Sequence, residues 1–408
     1  MRIKTIGLLF MAMISSLLLI MTDVLADQAP LQEQASLITQ KYLLADTHID
    51  VPYRLHGGWV DVTVSAPDGQ FDYPRAMQGG LNLPFMSIYT PAEMEKDGGS
   101  FELANQLIDS MEAIAARAPD KFMLVYSVAD AKKAMQSGRI GLALGMENGS
   151  PIDHKIENVR FFAGRGIRYI TLAHGLSNQI SDSSYDENRA WGGLSPFGKE
   201  VIREMNRVGI MVDISHVSDD AFWQTLELTT VPVIASHSSA RHYTPEFERN
   251  MSDEMIVALA KNGGVIQINW GSGFLTAEAN AYSTKMWATR TAWLKEHDFD
   301  EDGPEADQYT SDYREKQPYP YATMAQVVDH FDHVIKLAGV DHVGIGSDFD
   351  GVGDSLPIGL KDVADYPNLV AAFLRRGYSE GDIAKILGGN LMRVWSEVEA
   401  NAMKHKGS

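Results

Sequence analysis

Six imidazole and carboxylate side chains stand at the carboxyl ends of short apolar runs in this sequence. His48 and Asp50 are two residues apart, and alternate side chains of a β-strand share a face, so both can hold one metal ion. A carboxylate such as Glu147 after an apolar run is costly to bury without a cation. Each feature alone has an ordinary structural explanation, but their conjunction predicts a shared metal site made of His48, Asp50, Glu147, His216, His237 and Asp348.

The types of these residues restrict the metal and its chemistry. The chain has no cysteine, so thiolate zinc sites, iron–sulfur clusters and cysteine nucleophiles are excluded. Imidazole and carboxylate ligands suit zinc. One catalytic zinc takes three protein ligands, so six groups favour two ions. We therefore expect two zinc ions about 3.5–4 Å apart, bridged by Glu147, that turn a bridging water into a hydroxide nucleophile.

The elements that must position these residues are short strands that alternate with amphipathic helices. Several strands are almost continuously apolar, which is typical of parallel strands buried on both faces. No GxGxxG or Walker loop follows any of them, which disfavours an open doubly wound sheet. We predict an α/β fold, a (β/α)8 TIM-like barrel whose strand ends converge on one active-site face. The predicted strands are Leu43–Asp50, Leu81–Tyr89, Ile140–Glu147, Ile167–His174, Ile210–His216, Val231–His237, Gly264–Trp270 and Val343–Asp348.

Two long connections interrupt this alternation. Residues Gly57–Gly79 are rich in Asp, Gly and Pro and are predicted to form a surface loop. Residues Leu275–Tyr321 are long for a connection, and Met286–Glu296 within them is predicted to be helical. The sequence from Asp298 imitates the start of a calcium-binding EF-hand loop. Its twelfth position is Tyr309 rather than glutamate, so no calcium site is predicted.

Charge and the chain ends bear on partners and location. Lys plus Arg total 35 and Asp plus Glu total 54, and a net charge of −19 argues against nucleic-acid binding. The apolar run Ile6–Met21 precedes the cleavage-like Val24-Leu25-Ala26, so residues 1–26 are predicted to be a secretory signal peptide. An uncleaved anchor is the alternative. We expect a single domain over 27–408, secreted to a bacterial periplasm, with no lipid anchor at the polar C-terminus.

Six segments around the predicted site residues resemble the membrane (renal) dipeptidase family of the amidohydrolase superfamily. They occur in the family's order, and the resemblance covers essentially all of 27–408. Strand three offers Glu147 and no bridging lysine, as in the dipeptidase branch. Asn148 departs from the glycine of familiar mammalian members. The segments are Asp46-Thr47-His48-Ile49-Asp50, Gly145-Met146-Glu147-Asn148-Gly149, Tyr169-Ile170-Thr171-Leu172-Ala173-His174, Asp213-Ile214-Ser215-His216-Val217-Ser218, Ala235-Ser236-His237-Ser238-Ser239-Ala240-Arg241 and Gly346-Ser347-Asp348-Phe349-Asp350-Gly351.

The resemblance implies a role for each site residue. Asp348 would manage protons, and His174 and Arg241 would bind the substrate. His174, at a strand end, also suits the stabilisation of a developing oxyanion. A guanidinium such as that of Arg241 grips a free carboxylate through two hydrogen bonds. The implied zinc ligands are His48 with Asp50, His216 with His237, and Glu147 as the bridge.

The expected activity is hydrolysis of dipeptides with a free C-terminal carboxylate. The resemblance leaves a D-residue open at that end and implies a homodimer. One alternative is another binuclear amidohydrolase acting on a cyclic amide, a β-lactam or an ester. A second is a non-catalytic secreted protein that binds a metal or a peptide. Arg241 favours a peptide substrate, and Asp348 favours an enzyme because a binding module needs no proton carrier. HExxH and GxSxG are both absent.

Overall fold

The computed structural model of the protein describes residues 30–300 and 303–406. At its centre lie short, buried β-strands, and β4 is buried along all eight of its residues. In chain order the strands are β1 Ala45–Ile49, β2 Leu83–Tyr89, β3 Phe122–Leu124, β4 Ile140–Glu147, β5 Ile167–Thr171, β6 Met211–Asp213, β7 Ile234–Ser238, β8 Val265–Ile268 and β9 Val343–Ile345.

Eight of these strands form a parallel barrel. They are hydrogen-bonded in the order β1-β2-β4-β5-β6-β7-β8-β9, and β3 pairs with β4 outside this path. A parallel bridge between Ile49 and Phe349 joins the first strand to the segment after the last. There the Asp348 N–H donates to the His48 carbonyl at 3.1 Å, and the Asp50 N–H donates to the Phe349 carbonyl at 2.8 Å. The predicted (β/α)8 barrel is therefore confirmed, and its closure brings two predicted site segments together.

Several strands end earlier than predicted, before the polar residues, whereas β4 ends at Glu147 as predicted and β7 continues to Ser238. The prediction of Ile210–His216 corresponds to β6, which stops at Asp213. His216 has a φ of 68° and Asp348 has a φ of 64°, in the left-handed region. Such a conformation costs about 1–3 kcal/mol per residue and is concentrated at functional sites. The chain thus leaves the sheet just where these side chains turn toward the barrel mouth.

Helices surround the barrel, and serines begin several of them. The side chains of Ser195, Ser218 and Ser252 each accept a hydrogen bond from the backbone three residues on, which stabilises the first turn. The α-helices cover 30–41, Val51–Gly57, Tyr73–Gly79, Met94–Asp97, Ser100–Arg117, Val128–Gln136, Glu157–Gly164, Pro196–Val208, Asp219–Leu228, Asp253–Asn262, Ser272–Leu275, Ala277–His297, Pro304–Lys316, Met324–Ala338, Tyr366–Arg375, Glu380–Ala384 and Asn390–Lys406. Shorter 3-10 and π turns cover Ser150–Ile152, Arg241–Tyr243, Val340–His342 and Lys385–Gly389.

The two long connections are more ordered than their composition predicted. The segment Gly57–Gly79 ends in the helix Tyr73–Gly79, whose N-cap Asp72 accepts from the Arg75 N–H. The segment Leu275–Tyr321 contains the helices Ala277–His297 and Pro304–Lys316, so the predicted helix within it is confirmed and extended. Residues 301 and 302 of the EF-hand-like sequence lie outside the described residues.

The predicted signal peptide, residues 1–26, also lies outside the described residues. Within 30–300 and 303–406, none of the helices has the length and apolar character needed to cross a membrane.

Candidate active site

The strand ends place seven of the eight predicted site residues in one group, which we call the cavity cluster. Its histidine and carboxylate ligand atoms form overlapping sets that lie within 4.8 Å of one another. All of its members except His174 are buried, and His174 is partly exposed. The cluster consists of His48, Asp50, Glu147, His174, His216, His237 and Asp348.

Glu147, at the end of β4, lies at the centre of the cavity cluster. Its Oε2 is 3.2 Å from His48 Nε2, and that nitrogen is 3.4 Å from Asp50 Oδ2. Its Oε1 is 3.3 Å from the Nε2 atoms of both His216 and His237. The two oxygens of one carboxylate therefore face two separate ligand groups. A carboxylate that bridges two metal ions needs this arrangement.

Hydrogen bonds behind two of the histidines orient their rings. His48 Nδ1 is 2.9 Å from the Tyr169 hydroxyl, which donates to the Thr47 carbonyl, so the hydroxyl accepts from an Nδ1–H. His237 Nδ1 is 2.7 Å from Ser236 Oγ. Each ring thus directs an Nε2 lone pair into the cluster, as metal-binding histidines do.

The partners behind these rings are themselves held in place. Ser236 Oγ donates to Asp213 Oδ2 at 2.6 Å, so it accepts from His237. The Tyr169 ring lies where Gly145 has no side chain, because a Cβ on Gly145 would come within 1.9 Å of the ring. Sequence reasoning missed Tyr169 as a site residue, although it stood inside a quoted segment.

The donor set fits a metal. His48 Nε2 and His216 Nδ1 are buried and have no hydrogen-bond partner within 30–300 and 303–406, and His216 Nε2 lies 2.9 Å from His237 Nε2. Burial lowers the pKa of His216 and of His237 well below the ordinary value, and neighbouring cations act in the same direction. Both rings are therefore neutral and able to ligate.

The carboxylates differ in their electrostatics. Burial alone would raise the pKa of Glu147, but the surrounding imidazoles hold it well below its usual range. Burial raises the pKa of Asp348 to about 7, and the charges of Asp50 and Glu147 add to this effect against His48. Asp348 Oδ2 accepts from Asn269 Nδ2 at 2.7 Å. An ionisation near neutral pH is what a group that both takes and gives a proton needs.

Close packing at Gly351 brings Asp50 and Asp348 together. A Cβ on Gly351 would lie 2.3 Å from Asp348 Oδ1 and 2.3 Å from Asp50 Oδ2, so both oxygens lie against this glycine. Asp348 thereby presents its Oδ1 beside a predicted metal ligand, while Oδ2 is held by Asn269.

His174 belongs to the cluster, whereas Arg241 does not. His174 Nε2 is 3.5 Å from Glu147 Oε1, and its ring centroid is 4.3 Å from that of His216. The Arg241 guanidinium instead forms two hydrogen bonds with Asp219, at 2.8 and 2.6 Å, and others with the carbonyls of Asn250 and Glu248. The structure therefore does not bring Arg241 to the predicted position beside the metal ligands.

A different arginine, Arg249, approaches the cluster from the same loop. It is 3% exposed, and it donates to the His237 carbonyl and to Ser238 Oγ, both at 2.7 Å. In the part of the chain that the structure describes, its Nε has no hydrogen-bond partner. Its charge contributes to the low pKa values of His216 and His237. The sequence signal for it was weak, because Arg249 follows its strand by more than ten residues.

The cavity cluster opens into a cavity of about 860 Å³. This volume lies within the ordinary range for small-molecule sites. Asp50, Glu147, His174, His216 and Asp348 line this cavity. The segment between β8 and β9 supplies much of its wall, through Asn280, Ser283, Thr284, Met286, Trp287, Arg314 and Tyr319.

Comparison with known proteins gives consistent matches. The family model of membrane dipeptidase, peptidase family M19, matches residues 32–408. Dipeptidase tcpJ of Claviceps purpurea (strain 20.1) is 34% identical over 346 residues, which cover 83% of this chain and 72% of that protein. Mouse Dipeptidase 3 is 30% identical over 386 residues, which cover 92% of this chain and 69% of that protein.

A solved structure matches the fold. The crystal structure of the probable dipeptidase PvdM from Pseudomonas aeruginosa has a TM-score of 0.78 and 27% identity. The match covers 92% of this chain and all of that one.

Proposed function

Because this chain belongs to the membrane dipeptidase family, peptidase family M19, we propose that it is a two-zinc dipeptidase acting on dipeptides with a free C-terminal carboxylate. Metal-dependent hydrolysis of peptide bonds is the activity of the family. The observation that carries the two-ion proposal is the position of Glu147, whose oxygens face separate imidazole groups at 3.2 and 3.3 Å.

The proposed ligands divide between the two oxygens of Glu147. His48 and Asp50 would hold one ion, and His216 and His237 would hold the other, with Glu147 between the two pairs. When bound, the ions polarise the scissile carbonyl and supply an acidified water as the nucleophile. Hydrogen bonds involving Tyr169, Ser236 and Asp213 fix the orientation of the His48 and His237 rings.

Asp348 is the proposed proton carrier. Its Oδ1 is the free oxygen, since Asn269 holds Oδ2. Oδ1 takes a proton from the attacking water and delivers it to the nitrogen of the leaving amine as the peptide bond breaks. His174 is proposed to stabilise the negative charge that develops on the carbonyl oxygen.

The geometry supports Arg249 better than Arg241 as the cation for the substrate carboxylate. Arg241 already has a carboxylate partner in Asp219. Among the described residues, Arg249 has no salt-bridge partner and its Nε–H has no hydrogen-bond partner, while a terminal N–H of its guanidinium donates to the His237 carbonyl. A buried guanidinium that lacks a salt-bridge partner favours an anionic ligand.

Hydrolysis assays test this proposal. Protein stripped with a chelator and restored with zinc is assayed on L-Ala-L-Ala, on L-Ala-D-Ala and on the C-terminal amide of each. We expect zinc-dependent cleavage of free dipeptides of either hand at the C-terminal residue. The amides should be cleaved about 10–10²-fold less efficiently, the effect of losing a charge-assisted hydrogen bond. Cleavage of the amides as fast as the free dipeptides would contradict the dipeptidase assignment.

The location of the protein is a separate part of the proposal. We propose that residues 1–26 are removed during secretion and that the enzyme, residues 27–408, acts in the periplasm as a homodimer. N-terminal sequencing of protein from a periplasmic extract should begin at Asp27, and light scattering should give twice the mass of one chain.

A further inference from the structure

A second group of histidine and carboxylate side chains lies outside the cavity. We call His242, Asp253 and His333 the surface cluster. His333 Nε2 is 2.7 Å from Asp253 Oδ1. The rings of His242 and His333 are stacked, with centroids 4.3 Å apart and an interplanar angle of 18°. One ligand atom from each residue lies within 4.8 Å of the other two.

The three residues come from three different elements. His242 is in the 3-10 turn Arg241–Tyr243 that follows β7, and Asp253 is the first residue of the helix Asp253–Asn262. His333 is in the second half of the helix Met324–Ala338. His242 and Asp253 stand at the two ends of the loop that carries Arg249. A group bound by all three would therefore fasten both ends of this loop to a neighbouring helix.

The surroundings of the surface cluster leave room for an ion with solvent ligands. The His333 side chain is 10% exposed and that of Asp253 is 43% exposed. His242 is exposed, so it can adjust its ring without disturbing the core. Asp329 and Asp332, on the same helix as His333, both bind Arg376, so Asp253 remains the carboxylate directed at the two rings.

We propose that the surface cluster binds one divalent transition-metal ion, with zinc as the best fit, in addition to the ions of the cavity cluster. Two imidazoles and a carboxylate suit zinc, whereas calcium and magnesium prefer oxygen ligands alone. Tetrahedral zinc places its donor atoms about 3.3 Å apart, given bonds of about 2.0–2.1 Å. Asp253 and His333 must separate slightly and the His242 ring must tilt inward, and the fourth position is left to water.

The test is the number of zinc ions that the whole protein retains. Wild type and the variants His242→Ala, His333→Ala and Asp253→Asn are equilibrated with low-micromolar free zinc, and bound zinc per chain is measured by elemental analysis. We expect wild type to hold one zinc more than each of the three variants. The control His297→Ala, which removes an exposed histidine from a different helix, should hold as many as wild type.

Several outcomes would overturn the proposal. Equal zinc contents in wild type and all three variants would show that the surface cluster binds nothing. An additional ion that is lost from His297→Ala but kept in His242→Ala would place it elsewhere. If His333→Ala fails to fold, the two variants at partly exposed or exposed positions decide the question. Dipeptide hydrolysis by the same samples reports on the cavity ions, so a failure of the proposed function is seen separately.

Discussion

The cavity cluster and the surface cluster use the same two kinds of side chain in different surroundings. In the cavity cluster, Glu147 is buried at the centre of converging strand ends, and each of its oxygens faces imidazole nitrogens. In the surface cluster, one histidine is exposed and Asp253 reaches solvent. The two clusters contain the same types of residue, so we expect their metal binding to differ because of the groups that support the ligand side chains.

The support behind the rings is the main distinction. His48 is fixed through Tyr169, and His237 is fixed through Ser236 and Asp213, so their lone pairs point inward before any ion arrives. His333 instead has its Nε2 engaged by Asp253, and an ion must displace that contact. Preorganised ligands lose less free energy on binding. We therefore expect tight, catalytically essential binding in the cavity and weaker binding at the surface.

The largest expected effect within the cavity is that of Asp348→Asn. The amide keeps the shape and the contact with Asn269 but cannot carry the proton. We expect kcat to fall by about 10²–10⁴-fold, the usual size of general acid–base catalysis, with the zinc content retained. Steady-state kinetics with elemental analysis measures both. An unchanged kcat with a raised KM would make Asp348 a binding group instead.

Removing the central carboxylate should weaken metal binding in the cavity cluster, so that it is no longer tighter than in the surface cluster. Glu147→Gln keeps the size of the side chain but loses the charge that faces both imidazole groups. We expect loss of at least one cavity ion and a decrease in kcat/KM of at least about 10²-fold. The control is Glu278→Gln, the same change at an exposed helix position, which should leave zinc content and turnover at the wild-type level. Normal turnover in Glu147→Gln would refute the bridging role.

The arginine assignment is tested by a double cycle. Arg249→Lys keeps the charge but loses the planar fork, and we expect kcat/KM on free dipeptides to fall by about 10–10²-fold. If Arg249 contacts the substrate carboxylate directly, the variant should cleave the amidated dipeptide with nearly the same kcat/KM as the free dipeptide. Arg241→Lys is the matched comparison, and it should retain nearly full activity because its partner is Asp219. A larger fall in kcat/KM for Arg241→Lys than for Arg249→Lys would show that Arg241 is the binding residue.

A smaller effect, on zinc affinity, is expected when a residue that orients a metal ligand is changed. Tyr169→Phe removes the hydroxyl that orients His48, and we expect zinc affinity to fall by about 10–100-fold, as for other groups that support metal ligands. Competition with a chromogenic chelator measures this affinity. Tyr378→Phe removes a hydroxyl bonded to Asp332, remote from the cavity, and serves as control. Equal affinities in the two variants would show that the ring needs no such support.

The features that could be predicted from the sequence are those that depend on the local pattern of apolar and polar residues. Apolar runs that end in polar residues located eight barrel strands and the seven members of the cavity cluster, because strand ends of a parallel barrel converge on one face. The strand β3 was not predicted; it carries no polar residue and pairs with β4 outside the barrel path. Tyr169 orients His48 from another strand, and Ser236 is held by Asp213 on another strand. The need for glycine at position 145 is explained only by the Tyr169 ring beside it.

Arg241 and Arg249 show why the sequence led to an arginine whose guanidinium already has a carboxylate partner in the structure. Arg241 stands nearer to the His237 strand end, and its partner Asp219 is on another helix, so nothing local indicated that its guanidinium was occupied. The loop between the two arginines folds back so that Arg249 reaches the His237 carbonyl. Only the tertiary structure distinguishes the two.

The most direct test of the account is a zinc titration of chelator-stripped protein in which dipeptide hydrolysis is followed against equivalents of zinc added. The account predicts that activity keeps rising to two equivalents, because both oxygens of Glu147 must face an ion, and that a third equivalent, taken by the surface cluster, adds nothing. Full activity at one equivalent, or in the stripped protein, would contradict the two-metal site.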